Sequence, residues 1–490
     1  MERKVRITEE VAHCLLCENA PCTKACKTGD PARAIRATRF GNKSIARQWI
    51  KDCSESDLEA AEKACIHYDR PIRIREIARE LPDEPVAPQL PSLEIEFCGL
   101  KCENPFFLAS SAVCTNYEMV ARAFDAGWAG VYYKTICLQN ISEVSPRFDV
   151  VNREGNHGDF NSLRNLEQLS ENTVEEDFNF LSRLKRDYPS KIVVASIMGQ
   201  EEEDWIVLAK MAEQAGVDAI ELNFSCPQMR LAGMGSDVGQ NPELVACYTS
   251  YVKRVVSIPV IAKMTPNITN INHPALSAYF AGADAISAIN TIKSVTTGSR
   301  SEISGYQTVS GLSGRAVKPI ALRMIYELAS FHVYDNLKIS GIGGIETWCD
   351  ALEFIQLGCS NLQVCTAVMQ YGYRIIEDMT LGLRQYMANR GVTSLKELVG
   401  EQLPHFVLPK DLDRDTIVYP MIDKTMCIGC GRCHISCMDG GHQAIVFGDE
   451  RIPKIMGAKC VGCHLCSLVC PTGAISHAKR VKKKSKVAPE

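Results

Sequence analysis

Between residues 104 and 369 the chain carries eight short runs dominated by consecutive apolar residues: NPFFLAS (104–110), GVYYKT (130–135), IVVASIMG (192–199), AIELNFSCP (219–227), PVIAKMTPN (259–267), AISAINT (285–291), KISGIGG (338–344) and NLQVCTAVM (361–369). They lack the polar–apolar alternation of half-exposed strands, so they predict strands buried on both faces. In the intervals apolar residues recur three and four apart, as in DWIVLAKMAEQAG (204–216) and PELVACYTSYVKRVV (242–256). That is the spacing of helices with one buried face. Eight such strands alternating with helices predict an α/β fold, a parallel (β/α)8 or TIM barrel over residues 93–400, with an open doubly wound sheet as the alternative. The polar positions favour the barrel. Lys134-Thr135, Asn223-Phe224-Ser225-Cys226, Lys263, Asn290-Thr291, Gly343-Gly344 and Cys365-Thr366 all fall at the C-terminal ends of strands. A closed barrel gathers those ends on the one face where such folds carry their chemistry.

The flanks read differently. Pro82, Pro85, Pro88 and Pro91 make residues 81–92 an extended linker, because closely spaced prolines forbid a helix. Residues 1–80 before it form a helical, cysteine-bearing domain. Residues 401–490 form a compact cysteine module ending in a basic tail, KRVKKKSK, read as a solvated terminus.

Composition narrows the class. Of 490 residues, 46% are hydrophobic and 23% charged, the balance of an ordinary globular protein rather than a fibrous or disordered one. A net charge of −4 gives no electrostatic reason for a nucleic-acid partner. No apolar run reaches the roughly 18 residues of a membrane span, and the opening MERKVRITEEVAHC has no apolar signal core. A cytoplasmic protein is expected. Its 23 cysteines are clumped, with eight between Cys427 and Cys470 and six between Cys14 and Cys65. In a reducing compartment clumped thiols point to metal ligation rather than disulfides.

Two C-terminal runs, Cys427-x2-Cys430-x2-Cys433-x3-Cys437 and Cys460-x2-Cys463-x2-Cys466-x3-Cys470-Pro471, match the two-cluster ferredoxin pattern. In that pattern the fourth cysteine of each run serves the other cluster. One [4Fe–4S] cluster is therefore expected on Cys427, Cys430, Cys433 and Cys470, and a second on Cys460, Cys463, Cys466 and Cys437. The ferredoxin reading is preferred over paired zinc sites because tandem runs of this spacing are rare elsewhere. The N-terminal run Cys14-x2-Cys17-x4-Cys22-x3-Cys26, with Cys53 and Cys65, supplies six thiols. Six allow one further cluster, two with a non-cysteine ligand, or a cluster-free helical cap.

At the barrel mouth, the Gly343 and Gly344 amides and the helix opened by Cys365-Thr366 suit a phosphate after the seventh and eighth strands. Gly341 and Gly343 form a G-x-G, but Glu346 replaces the third glycine of a dinucleotide fingerprint. The expected cofactor is FMN, with no NAD(P) or FAD site in this chain.

The motifs NFSCP (223–227), AKMTPN (262–267), INT (289–291), GLSGRAVKPIAL (311–322), GIGGIE (341–346) and LQVCTAVM (362–369) resemble those of the dihydropyrimidine dehydrogenases. The likeness extends over nearly all of residues 93–475 and is closest to the FMN- and iron–sulfur-bearing subunit of the bacterial two-subunit enzymes, with the dihydroorotate dehydrogenases as broader relatives. It implies reversible reduction of the 5,6 double bond of uracil or thymine by hydride transfer from FMN, with Cys226 as general acid/base. Asn165, Asn223, Ser225, Asn290 and Thr291 would bind the pyrimidine. Lys134 and Lys263 would face the flavin, and Ser110, Thr135, Gly314, Gly343, Gly344, Cys365 and Thr366 would complete its cradle. Residues 228–240 would form a lid, and Gln228 departs from the histidine of the long single-chain enzymes. Residues 13–80 resemble a module that adjoins FAD and NAD(P)H domains in that family, whereas here the chain passes straight to the barrel. An FAD/NAD(P)H-binding partner subunit or a ferredoxin is therefore the expected electron donor, and a homo- or hetero-oligomer the expected assembly. The alternatives are a reductase of another cyclic amide or imide and a non-catalytic electron-relay subunit.

The chemistry is coherent without the resemblance. A free thiol titrates near ~8.5, so at neutral pH it holds a proton to donate. Side-chain amides offer a donor and an acceptor each to the alternating C=O and N–H edge of a uracil ring.

Overall fold

The structure is a computed structural model describing residues 7–83, 86–139, 141–153, 159–227, 229, 233–296, 308–331 and 337–483. It divides into two compact units, Met1–Pro404 and His405–Glu490.

In the first unit eight parallel strands close a barrel: β1 (Phe106–Leu108), β2 (Gly130–Tyr132), β3 (Ile192–Ile197), β4 (Ala219–Asn223), β5 (Val260–Lys263), β6 (Ala285–Ala288), β7 (Lys338–Ile342) and β8 (Asn361–Val364). Each pairs with its neighbours in chain order, and β8 returns to β1 with Leu362 opposite Phe106. The TIM barrel is the fold. Every predicted strand run supplies one of these strands, because the helices between them cover the outer face and leave no side of the strand wet. Those helices start where the chain provides caps. Thr173 and Thr347 each accept from the backbone N–H three residues on, and the acidic side chain there reaches back in a capping box.

Two excursions build a roof over the strand ends. Phe148–Arg153 and Phe160–Asn165, following β2, join Ile292–Ser294 and Ser310–Ser313, following β6, in a four-stranded antiparallel sheet. Gly311 sits opposite Asn165 in that sheet. No continuous apolar run announces this roof in the chain, because half or more of the residues in each of its strands are not apolar.

Six helices between Ile7 and Glu80 precede the barrel and share its hydrophobic core. They are fastened to the helix Ile375–Arg390. Arg36 donates to Asp378 (2.6 Å) and Glu377 (2.5 Å), and the Asn42 amide donates to the Asp378 carbonyl (2.7 Å). The proline-rich stretch lies along the same helix, with Arg384 holding the carbonyls of Leu90 (3.0 Å) and Pro91 (2.8 Å).

Among its described residues the second unit has three two-stranded ladders and two α-helices, Arg432–Gly440 and Leu465–Leu468, besides a short 3-10 turn at Pro409–Asp411. Its small core is Cys433, Ile445, Cys466 and Ile475. No helix among the described residues is long and apolar enough to cross a membrane. The predicted lysine-rich tail runs partly outside the described residues.

Candidate active site

The barrel mouth encloses a cavity of about 1140 Å³, counting the space open to solvent, between the strand ends and the roof. Fourteen of the fifteen barrel residues singled out in the sequence line it: Cys226, Asn165, Asn223, Asn290, Thr291, Ser110, Lys134, Thr135, Lys263, Gly314, Gly343, Gly344, Cys365 and Thr366. Ser225 is absent from that wall. It is fully buried behind its neighbours, where its N–H (3.1 Å) and hydroxyl (2.8 Å) both donate to Asn223 Oδ1.

Ser225 belongs to a hydrogen-bonded belt that links five strand ends. Thr135 Oγ1 lies 3.0 Å from both Ser110 Oγ and Ser196 Oγ and accepts from Asn223 Nδ2 (2.9 Å). Asn290 Nδ2 donates to Ser225 Oγ (2.9 Å), and Asn290 Oδ1 accepts the Thr291 N–H (2.7 Å). Each amide nitrogen in these bonds carries two hydrogens and spends one within the belt. Asn223 and Asn290 are thereby held in fixed orientation with an N–H left for a ligand.

Cys226 is 5% exposed on the cavity wall. Its loop is clamped from behind, because the Ser236 N–H donates to the Cys226 carbonyl (2.9 Å) and Gly235 packs against it. A Cβ at Gly235 would stand 2.5 Å from that carbonyl oxygen. Of the predicted lid, Gln228 and residues 230–232 lie outside the described residues, while Ser236–Gly239 form a short helix packed on the Cys226 loop.

Two buried ammonium groups converge on the same cavity. Lys134 Nζ stands 3.0 Å from Glu167, which also binds Arg147 (3.2 Å). Lys263 Nζ stands 3.5 Å from Glu221. The Gly343-Gly344 turn requires glycine, having φ of +124° and +80°, and side chains there would collide with Ala321 (2.9 Å) and Lys318 (2.8 Å). Burial pushes the Cys365 thiol up, so it stays protonated on the wall. Burial likewise raises the Glu346 carboxyl against the pull of Arg315.

Sequence reasoning missed Ser111, Glu167, Gln168, Arg315, Gln363 and Gln370 on this wall. Gln363 carried a signal, being a polar residue inside an apolar strand run. Gln168 lay in the same NLEQ stretch as Asn165.

In the second unit Cys427, Cys430, Cys433 and Cys470 border one small cavity, and Cys437, Cys460, Cys463 and Cys466 border another. These are the two crosswise sets that the spacing predicted. Among the N-terminal thiols, Cys14, Cys17, Cys22 and Cys65 line a single cavity with Ile35, Ile72 and Ile74. Cys26 and Cys53 stand apart from it, their sulfurs 3.4 Å from each other. Among the described residues no three thiols, imidazoles or carboxylates converge on one point fit for a single ion. The cysteines are spread around each cavity wall.

The dihydroorotate dehydrogenase family pattern matches residues 92–387, and the 4Fe-4S dicluster domain matches residues 420–477. The NAD-dependent dihydropyrimidine dehydrogenase subunit PreA of Escherichia coli (strain K12) is 51% identical over 364 residues, 73% of this chain and 88% of that protein. The chain belongs to the dihydropyrimidine dehydrogenase family. The chloroplastic dihydropyrimidine dehydrogenase (NADP(+)) of Arabidopsis thaliana is 38% identical over 66% of this chain and 79% of its own length. The catalytic subunit of dihydroorotate dehydrogenase B (NAD(+)) of Pyrococcus abyssi is 38% identical over 63% of this chain and 98% of its own. A crystal structure of the Eimeria tenella dihydroorotate dehydrogenase with ferulenol superposes with a TM-score of 0.54 at 17% identity, covering 65% of this chain and 91% of that one, and shares the fold.

As a dihydropyrimidine dehydrogenase family member the chain is an oxidoreductase whose cofactors are FMN and iron–sulfur clusters. The barrel cavity fits FMN on its own evidence. It offers two buried cations to an electron-rich ring and a glycine turn that admits no side chain. It also offers Gln363, whose Oε1 is a buried acceptor without a donor among the described residues.

Proposed function

We propose that this member of the dihydropyrimidine dehydrogenase family reduces the 5,6 double bond of uracil or thymine, reversibly, with Cys226 as general acid and base. The observation that carries this reading is the belt that holds the Asn223 and Asn290 amides in a cavity also lined by the Cys226 thiol and by the buried Lys134 and Lys263. When bound, FMN exchanges two electrons with the pyrimidine and single electrons with the clusters. Everything else falls to the chain. Asn165, Asn223, Asn290 and Thr291 hold the carbonyl and N–H edges of the ring, and Ser225 fixes the two asparagines from behind. Cys226 Sγ gives its proton to the ring carbon during reduction and takes it back in the reverse direction. Gly343, Gly344, Cys365 and Thr366 hold the phosphate, and Ser110, Thr135 and Gly314 border the flavin. Lys134 and Lys263 set positive charge against its ring, where a water-poor wall strengthens their effect.

The cluster assignments follow the cavities. Cys427, Cys430, Cys433 and Cys470 hold one [4Fe–4S] cluster, and Cys460, Cys463, Cys466 and Cys437 hold another. A third is held by Cys14, Cys17, Cys22 and Cys65, which leaves Cys26 and Cys53 without a cluster. Electrons come from an FAD- and NAD(P)H-binding partner subunit or a ferredoxin, the reading favoured by the likeness to a protein named as one subunit of an NAD-dependent enzyme. Clusters on clumped thiols belong in a reducing compartment, which supports a cytoplasmic location.

The test needs no partner. Anaerobic holoprotein, photoreduced and mixed with uracil or thymine, is expected to regain oxidised-flavin absorbance as the dihydropyrimidine forms. A flavin that stays reduced with both bases would refute the substrate assignment. Cys226→Ala is expected to abolish turnover with FMN still bound, and undiminished turnover would remove the thiol from the mechanism.

A further inference from the structure

A carboxylate lies where the interior of a parallel barrel ordinarily holds branched apolar residues. Glu221, on β4, is fully buried two positions before Asn223 and thus one layer beneath the belt. Strands all round the barrel send polar groups to it. Ser196 Oγ on β3 (3.2 Å) and Ser287 Oγ on β6 (2.9 Å) donate to its two oxygens, and Gln363 Nε2 on β8 lies 3.5 Å away. Lys263 Nζ on β5 stands 3.5 Å from Oε1. Gln363 is itself fixed by bonds to Ser287 (2.9 Å) and Ser340 (3.0 Å).

A buried carboxylate is costly unless it is paired and hydrogen-bonded, which Lys263, Ser196 and Ser287 accomplish for Glu221. Lys263 and Gln363 both line the cavity, whereas Glu221 does not. The carboxylate therefore sits behind the wall, and its ion-pair partner among the described residues, Lys263, lines the cavity. Lys134, the other cation, has a separate counter-ion in Glu167.

We propose that Glu221 is a positioning residue that holds Lys263 on the cavity wall and, by partly offsetting its charge, sets the electron affinity of the bound flavin. This rests on the assignment above that Lys263 faces the flavin. The negative charge behind the ammonium lowers the flavin's potential, so removing that charge raises it. Glu221→Gln is the apt change, since the amide has nearly the same shape and can still accept from Ser196 and donate toward Ser287.

The test is an anaerobic redox titration of the FMN-loaded protein without substrate, following flavin absorbance against a reference dye, alongside the FMN dissociation constant. Glu221→Gln is expected to keep FMN and to shift the oxidised-to-reduced ratio at a given potential about tenfold toward reduced, about 30 mV for a two-electron couple. Glu221→Asp, which keeps the charge, is expected to stay near the wild type, and Lys263→Gln to shift the ratio the other way. If Glu221→Gln does not fold, Ser287→Ala removes one donor from the carboxylate, strengthens its counter-charge and is expected to lower the potential. An unchanged or lowered potential in Glu221→Gln, with Lys263→Gln moving as stated, would overturn the role of Glu221 alone. No movement in Lys263→Gln would overturn the flavin assignment on which it rests.

Discussion

Glu10 joins the two ends of the N-terminal cysteine cavity, although it touches neither. It lies in the helix Ile7–Ala12, just before Cys14, while its partners Arg70 and Arg73 follow Cys65. Its carboxylate is 1% exposed and receives both Arg70 Nη1 (2.7 Å) and Nη2 (2.8 Å), the Arg73 N–H (2.9 Å) and the Arg73 guanidinium. Burial by itself would raise its pKa, but the Arg70 hydrogen bonds and then those of Arg73 outweigh it and bring it from 4.5 to about 2. At about 1.4 kcal/mol per pKa unit that displacement corresponds to about 3 kcal/mol. Arg70 and Arg73 are 36% and 42% exposed, so solvent screening reduces it to about 2 kcal/mol. Because the folded value lies below the unfolded one, this stabilisation is complete above pH ~4.5 and disappears as the pH falls toward ~2.

Glu10→Gln at neutral pH is therefore expected to open this corner about 30-fold more often, the equivalent of about 2 kcal/mol. The assay is amide hydrogen exchange over residues 7–14 and 65–74 of the holoprotein, with chelator-driven iron loss followed in parallel. Exchange should quicken there and not in the barrel strands, and one cluster's worth of iron should leave early. Wild-type exchange in both segments would refute the argument that this ion cluster fastens the cavity.

Two further changes test the remaining assignments. Cys437→Ser is expected to remove the cluster bounded by Cys460, Cys463 and Cys466 and spare the one on its own run; paramagnetic resonance of the reduced protein distinguishes them, and loss of the Cys427–Cys433 cluster instead would refute the crosswise ligation. Gly344→Ala is expected to cost about 1–2 kcal/mol for its left-handed backbone alone, and more for the contact with Lys318; equilibrium dialysis should show FMN binding weakened at least tenfold, and unchanged binding would refute the turn as part of the cradle.

Local chemistry was legible from the chain itself. Strand and helix periods repeat within a few residues, so the barrel could be read before any contact was known. The two ferredoxin runs were equally plain, since three of each four ligands sit on one tight arc and only the fourth crosses over. Strand-end positions such as Lys134, Asn223 and Gly343 could be named because a closed barrel brings such ends together whatever its details. Other features depend on residues far apart in sequence. Which four of six N-terminal thiols share a cavity was decided when the chain between Cys22 and Cys65 folded back, leaving Cys26 against Cys53. Ser225 looks like a ligand contact in the NFSCP motif, yet the turn of the chain puts it behind the wall. The roof that brings Asn165 to the mouth is held by pairing with Gly311, a partner no periodicity announces. Glu221 is the plainest instance. Sequence shows only a carboxylate in an apolar strand, which could mean a misread strand. Its meaning appears only when barrel closure brings Lys263, Ser196, Ser287 and Gln363 around it, because a buried charge is tolerated only through partners that other strands supply.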